Sequence, residues 1–260
     1  MSVHPLGADC LLEVRGVRFG YDRETVLQDV DLRIGPRDFL AIIGPNGGGK
    51  TTLLRVILGL ERPWAGEVRW HRRPAPGRIG YVPQFSTFDR NFPLTLEDAV
   101  LMGRLGQRGL FRRYSREDRL AVGRVLERLK LSPHARSPIA DLSGGQMQRA
   151  LIGRALVAEP EILFLDEPTA SVDAETRLVF SEVLDELNTR IPIVVVTHDA
   201  TSIAAQVKQI ACVNRRLWYH GGGQLSNAQL EEAYGCPVEL IAHGVPHRVL
   251  GEHGHAHHNH

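Results

Sequence analysis

Between residues 11 and 43, apolar and polar positions alternate in three runs, LLEVRGVRFGY, VLQDVDLRI and FLAII, with Asp, Gly and Pro at the breaks. Alternation of period two bounded by turn residues predicts strands. Val68 and Trp70 in GEVRW predict another. From Thr95 the period lengthens. Thr95-x-x-Asp98 and Ser115-x-x-Asp118 both have the spacing of a helix-capping box, and the second leads into Leu120, Val122, Val125, Leu126 and Leu129, a stripe at helical spacing. A third helix is predicted to begin at Ser143 and end before Pro160. Short, wholly apolar strands at 162–165 and 193–196 then flank a helix over 174–187. Such strands alternating with helices predict an α/β fold: a parallel sheet covered on both faces. An antiparallel β subdomain precedes it and an α-helical subdomain, about 93–155, is inserted within it. No repeat of 20–50 residues is visible. Beyond Gly221 the pattern fades to one short helix in SNAQLEEAYG, capped by Ser226, and a flexible end, HGHAHHNH.

Composition narrows the classes. A chain of 260 residues with 43% apolar content supports a sizeable core. The 31 basic and 30 acidic side chains leave a formal charge of +1, which argues against general nucleic-acid binding. Arginines gather between Arg104 and Arg128, and a solvated helical face is expected there, with contact to a partner or acidic lipid as the other reading. Cys10, Cys212 and Cys236 are too few and too scattered for a disulfide framework, which fits a reducing compartment. The start, MSVHPLGADC, lacks the pattern of a secretory signal. The apolar runs fall short of the ~20 residues that span a bilayer, so any membrane role is expected to come through a partner.

Residues 41–52, AIIGPNGGGKTT, interrupt the pattern with four glycines. A glycine inside an element costs about 0.5–1 kcal/mol relative to alanine, so the stretch needs a compensating use. Gly44-x-x-x-x-Gly49-Lys50-Thr51 has the spacing of a phosphate-binding loop between a strand and a helix. Along Gly44, Pro45, Asn46, Gly47, Gly48 and Gly49, backbone N–H groups (all but that of Pro45, which has none) would cradle a phosphate at a helix N-terminus that continues through Thr52. Lys50 is expected on the β- and γ-phosphates of ATP and the Thr51 hydroxyl on Mg²⁺. Asp166, ending the apolar strand in ILFLDEP, is expected as a second oxygen ligand, and Glu167 as the group that positions or deprotonates the attacking water. A plain helix-capping pair is the alternative. His198 closes the strand IVVVTHD at the equivalent edge, where it senses phosphate or is structural. Ser143, with Gly144, Gly145 and Gln146, opens a helix whose free N–H groups offer a second anion grip. One triphosphate does not easily use both grips of one chain; head-to-tail pairing of two copies gives each nucleotide one grip from each.

Taken in order, an aromatic upstream of the loop, the loop, Gln84 in YVPQ, LSGGQMQR, ILFLDEP, Asp173 in TASVD and His198 make the chain resemble the nucleotide-binding subunit of ABC transporters over about residues 11–225. The resemblance implies a P-loop NTPase (RecA-like) core within residues 1–245, an ATP-driven homodimer and ATP hydrolysis coupled to a multi-span permease. It further implies that Tyr21 stacks on adenine, that Gln84 completes the Mg²⁺ and water shell, and that Asp173 communicates across the dimer. A surface tyrosine, a loop glutamine and a helix N-cap aspartate are the plainer readings. The segment from Gln84 to about Gly103 would meet the permease. Gly48 departs from the family pattern, where many members carry serine or alanine; added flexibility is expected to be tolerated because the backbone makes the grip.

Two features bear on cargo. FPLTLEDAVLMGR and CVNRRLWYHGG are similar to segments of subunits serving zinc and manganese importers, which implies a peripheral place on the cytoplasmic face of the inner membrane and an extracytoplasmic metal-binding protein. His253, His255, His257, His258 and His260 crowd the tail, 246–260, with His243 and His247 upstream. Neutral imidazole is a common metal ligand, so the tail is read as a loose Zn²⁺ sink, against a solvated tail without consequence or a purification tag. Manganese, iron–siderophore or cobalamin import are the neighbouring readings. A soluble ABC ATPase acting on nucleic acid or ribosomes and a vestigial ATP site are the remote ones.

Overall fold

The predicted alternation is realised as two sheets. The computed structural model describes residues 10–84, 93–108, 113–168, 173–197 and 206–221. Strands β1 (Leu12–Tyr21), β2 (Glu24–Ile34) and β4 (Ala65–Trp70) form an antiparallel sheet in the order β2-β1-β4. The β1–β2 connection is the two residues Asp22 and Arg23, both at positive φ, the backbone that matches a tight hairpin to strand twist.

The second sheet runs β5 (Ile79–Val82), β6 (Ile162–Asp166), β7 (Ile193–Val196), β3 (Phe39–Ile43), β8 (Gln209–Asn214), β9 (Arg216–Gly221). All neighbours are parallel except the β8–β9 hairpin. Period two divides its residues between two cores. Ala41, Ile43, Leu163, Leu165, Ile193, Val195 and Cys212 point into a core shared with the helices. Leu40, Ile42, Ile162, Phe164, Val194 and Val196 point the other way, against β1, β2 and α1 (Lys50–Ile57). Burial on both faces is why these strands read as unbroken apolar runs. Cys212 is a core residue whose thiol burial pushes up to about 12.

The helices are α2 (Leu96–Leu101), α3 (Leu105–Arg108), α4 (Arg116–Arg128), α5 (Gly144–Leu156) and α6 (Ala174–Asn188). Each predicted start carries its cap: Thr95 Oγ1 accepts from Asp98 N, and Ser115 with Asp118 forms a full capping box. The α4 stripe differs by one position from the expected one. Ala121, Val122, Leu126 and Leu129 are buried, whereas Leu120 is 52% exposed. The cap sets the phase: Asp118 heads the inward row, and residue 120 falls off it. The strands β5, β8 and β9 and the short α3 were not visible in the pattern.

The arginine-rich stretch also differs from a uniformly solvated face. Asp118 is fully buried, and Arg104 Nε (3.0 Å) and Arg108 Nε (2.5 Å) turn inward to it. Arg104 also donates to the Val157 carbonyl, tying α3 and α4 to the end of α5. Arg116, Arg119 and Arg124 remain exposed. Burial pushes the Asp118 carboxyl up, but bonds from Ser115 and the two guanidiniums outweigh it and hold it at about 2. Its folded value lies below the unfolded value of about 3.9, so its contribution is complete above pH ~4 and is lost as pH falls toward the folded value. Asp118→Ala strands two inward guanidiniums; urea denaturation at pH 7 is expected to show a loss of about 3 kcal/mol or more. The loss should shrink as the assay pH is lowered from about 4, because the wild-type carboxylate is being titrated as well.

Candidate functional site

The sheet places the chemistry at one edge. β7 lies between β6 and β3, so Asp166 and the loop after Ile43 emerge on either side of it at the carboxyl ends of parallel strands. Gly49, at φ 100°, turns the loop into α1 and offers no side-chain cap to the first amides of the helix. Those N–H groups face whatever the loop holds.

Lys50 folds back over its own loop, Nζ donating to the carbonyls of Gly44 (2.9 Å) and Pro45 (3.1 Å). Burial lowers its pKa, opposed by the charges of Glu167 and Asp166. Thr51 Oγ1 donates to Asp166 Oδ1 at 3.1 Å. Among the described residues Asp166 Oδ2 is buried without a hydrogen-bond partner. Burial pushes this carboxyl up, against the Thr51 bond and the charges of Lys50 and Arg55, while Glu167 pushes it further up. A buried carboxylate oxygen lacking a partner, beside a hydroxyl, is the donor set a hard cation satisfies, so these residues fit Mg²⁺.

A cavity of about 160 Å³ is lined by residues 46–52 together with Gln84 and Glu167. The Glu167 backbone sits at φ 51°, a left-handed conformation that non-glycine residues hold only when neighbours enforce it. Its N–H donates to the Val196 carbonyl of β7 at 2.8 Å. The structure therefore brings Asn46 to Thr52, Gln84, Asp166 and Glu167 together. A larger cavity, about 450 Å³, lies at the opposite strand ends among Cys10, Arg37, His71 and Arg190, away from these groups.

Other predicted residues stand apart. Ser143 caps α5 in a capping box, Oγ accepting from Gln146 N (3.2 Å) and its own N–H donating to Gln146 Oε1 (2.9 Å). Ser143 and Gly144 are exposed, and neither lines the loop cavity. Tyr21, at the end of β1, is 40% exposed and meets the Phe19 ring edge-on at 5.0 Å. Asp173 caps α6, Oδ1 accepting from Thr176 N and Oδ2 from Thr176 Oγ1, and the Thr176 N–H leads in lowering its pKa. His198, the tail histidines from His243 to His260 and the Ser226 helix lie outside the described residues.

Gly48 has a reason that flexibility does not supply. A Cβ there would lie 2.7 Å from the Val213 carbonyl oxygen and 3.0 Å from that of Pro45. The tip of the β8–β9 hairpin presses on the loop: Arg215 N donates to Gly48 O, and Arg215 O accepts from Gln28 N of β2. These are backbone contacts between distant segments, so no residue type advertised them.

Comparison with known proteins agrees with this geometry. Residues 27–170 match the ABC transporter family. The chain is 35% identical over 219 residues to the zinc uptake system ATP-binding protein ZurA of Listeria innocua, covering 81% of this chain and 85% of that one. It is 34% identical over 240 residues to the manganese transport system ATP-binding protein MntB of Listeria innocua, covering 90% and 100%. Among solved structures it superposes on an inward-facing ABC transporter with a TM-score of 0.78 and 29% identity, covering 88% of this chain and 90% of that one. On a P-loop NTPase frame, the chain belongs to the ABC transporter family and is an ATPase whose hydrolysis is coupled to transport.

Proposed function

We propose that this subunit powers uptake of a divalent metal ion, zinc in the first instance, through a separate membrane permease, by ATP-driven head-to-tail dimerisation. The observation that carries the catalytic part is the separation of the two grips: the loop cavity collects Lys50, Thr51, Gln84 and Glu167, while Ser143 stands exposed elsewhere on the chain. A second copy supplies the missing wall. The relatives named for zinc and manganese uptake support the cargo class. Among the described residues no helix is long and apolar enough to cross a membrane, in keeping with a peripheral subunit on the cytoplasmic face.

In this reading Lys50 exchanges the Gly44 and Pro45 carbonyls for phosphate oxygens, and the loop amides take the rest. Thr51 and Asp166, with Gln84, hold Mg²⁺, which supplies positive charge beside the β- and γ-phosphates. Glu167 orients water in line and accepts its proton as the γ-phosphoryl group passes from ADP to the water oxygen. Tyr21 offers a free face to adenine, His198 senses the γ-phosphate, Asp173 contributes at the dimer seam, and an extracytoplasmic binding protein delivers the metal. The histidines at 253–260 act as a loose zinc buffer.

Four variants, a growth and uptake assay and a tail deletion test this. Glu167→Gln is expected to bind ATP, hydrolyse it about a thousandfold more slowly, about 4 kcal/mol of barrier, and accumulate as a dimer. Lys50→Ala should fail earlier, at ATP binding, and Ser143→Arg should bind ATP but neither dimerise nor turn over; full turnover by a monomeric Ser143 variant would exclude the shared site. Asp166→Asn should keep its fold and its metal-free ATP affinity and lose the Mg²⁺-dependent gain, read by titrating ATP with and without Mg²⁺. In cells lacking this subunit, the gene is expected to restore zinc-limited growth and ⁶⁵Zn uptake. Restoration of manganese uptake alone would change the cargo, and an unaltered response to excess zinc after deletion of 253–260 would exclude the buffer.

A further inference from the structure

The helix that Ser143 caps also reaches the residue next to Glu167 in its own chain. Gln148, on α5, donates its side-chain amide to the carbonyl of Pro168 at 3.0 Å, and Pro168 follows Glu167 directly. One turn earlier on α5, Gly145 is buried so closely that a Cβ would lie 2.5 Å from Asp173 Oδ2 and 2.6 Å from Thr176 Oγ1. Pro168 and Asp173 bound one stretch of chain, from Glu167 to the start of α6. α5 therefore grips both ends of it.

Glu167 is where such a grip matters. Its left-handed backbone persists only if its neighbours over-determine it. One restraint is the Glu167 N–H on Val196 O, and a second, one residue on, is the Pro168 carbonyl held by Gln148. We infer that Gln148 is a positioning residue for Glu167: its amide on the Pro168 carbonyl links α5 to the backbone that aims the carboxylate of the same chain. The inference rests on the head-to-tail reading above.

The test is Gln148→Met in the full chain, which keeps length and apolar bulk and removes the donor. The expected result is a fall in kcat of tenfold or more with the KM for ATP within twofold, and an ATP-bound dimer that accumulates as it does for Glu167→Gln. A merely structural role moves the dimer the other way, because a disturbed signature helix binds the partner's nucleotide less well. Unchanged kcat, or loss of the ATP-dependent dimer, overturns the assignment. Should the Met variant fail to fold, Gln148→Glu retains the shape, removes the donor and is read in the same way. Glu167→Gln is the control: if it too fails to accumulate as a dimer, head-to-tail pairing is what has failed; if it accumulates and the Gln148 variant does not, the link has failed.

Discussion

The hydrogen bond from Thr51 to Asp166 joins residues 115 positions apart, and the site depends on it. It can form only because β7 holds β6 and β3 at a fixed separation, so that a strand-end carboxylate and a loop-borne hydroxyl face each other. Burial makes the carboxylate costly to leave charged, and its second oxygen is left without a partner. A group in that condition is satisfied by a cation. The neighbouring Lys50 is bonded to two carbonyls of its own loop, those of Gly44 and Pro45.

The two cores explain how this edge is kept rigid while the rest of the chain differs in character on each side. One face of the parallel sheet packs on α1 and the antiparallel strands, which fixes the phosphate loop from below and, through the Arg215 backbone, from the side. The other face packs on α2, α4, α5 and α6, and this helical side presents Ser143. Its own rigidity comes from Asp118, where two arginines and a helix cap converge on one buried carboxylate. That side leaves Ser143 and Gly144 exposed and outside the lining of the loop cavity.

Local patterns were sufficient for much of the chain. The helix starts at Thr95, Ser115, Ser143 and Asp173 are short-range chemistry, a side-chain oxygen meeting an amide three residues on, and all four stand as caps in the structure. The phosphate loop was legible for the same reason: its function resides in consecutive backbone groups, and only a narrow set of residues permits that path. Period two marked β1 and β2, and short unbroken apolar runs marked β3, β6 and β7, because the first two bury chiefly one face and the others both.

What the tertiary structure alone decided is everything that needs two distant segments in register. The strands β5, β8 and β9 are strands because β6, β3 and β8 offer them edges, not because IGYV or QIACVN insists on it. Leu120 faces solvent because Asp118 took the inward row, and Arg104 and Arg108 left the solvated face for the same buried charge. The room at Gly48 is defined by the Val213 carbonyl, and the reach of Gln148 to Pro168 by how α5 lies against β5, beside the end of β6. Spacing along one chain encodes interactions within a few residues; contacts made by backbone carbonyls carry no residue signature, and only folding brings them into being.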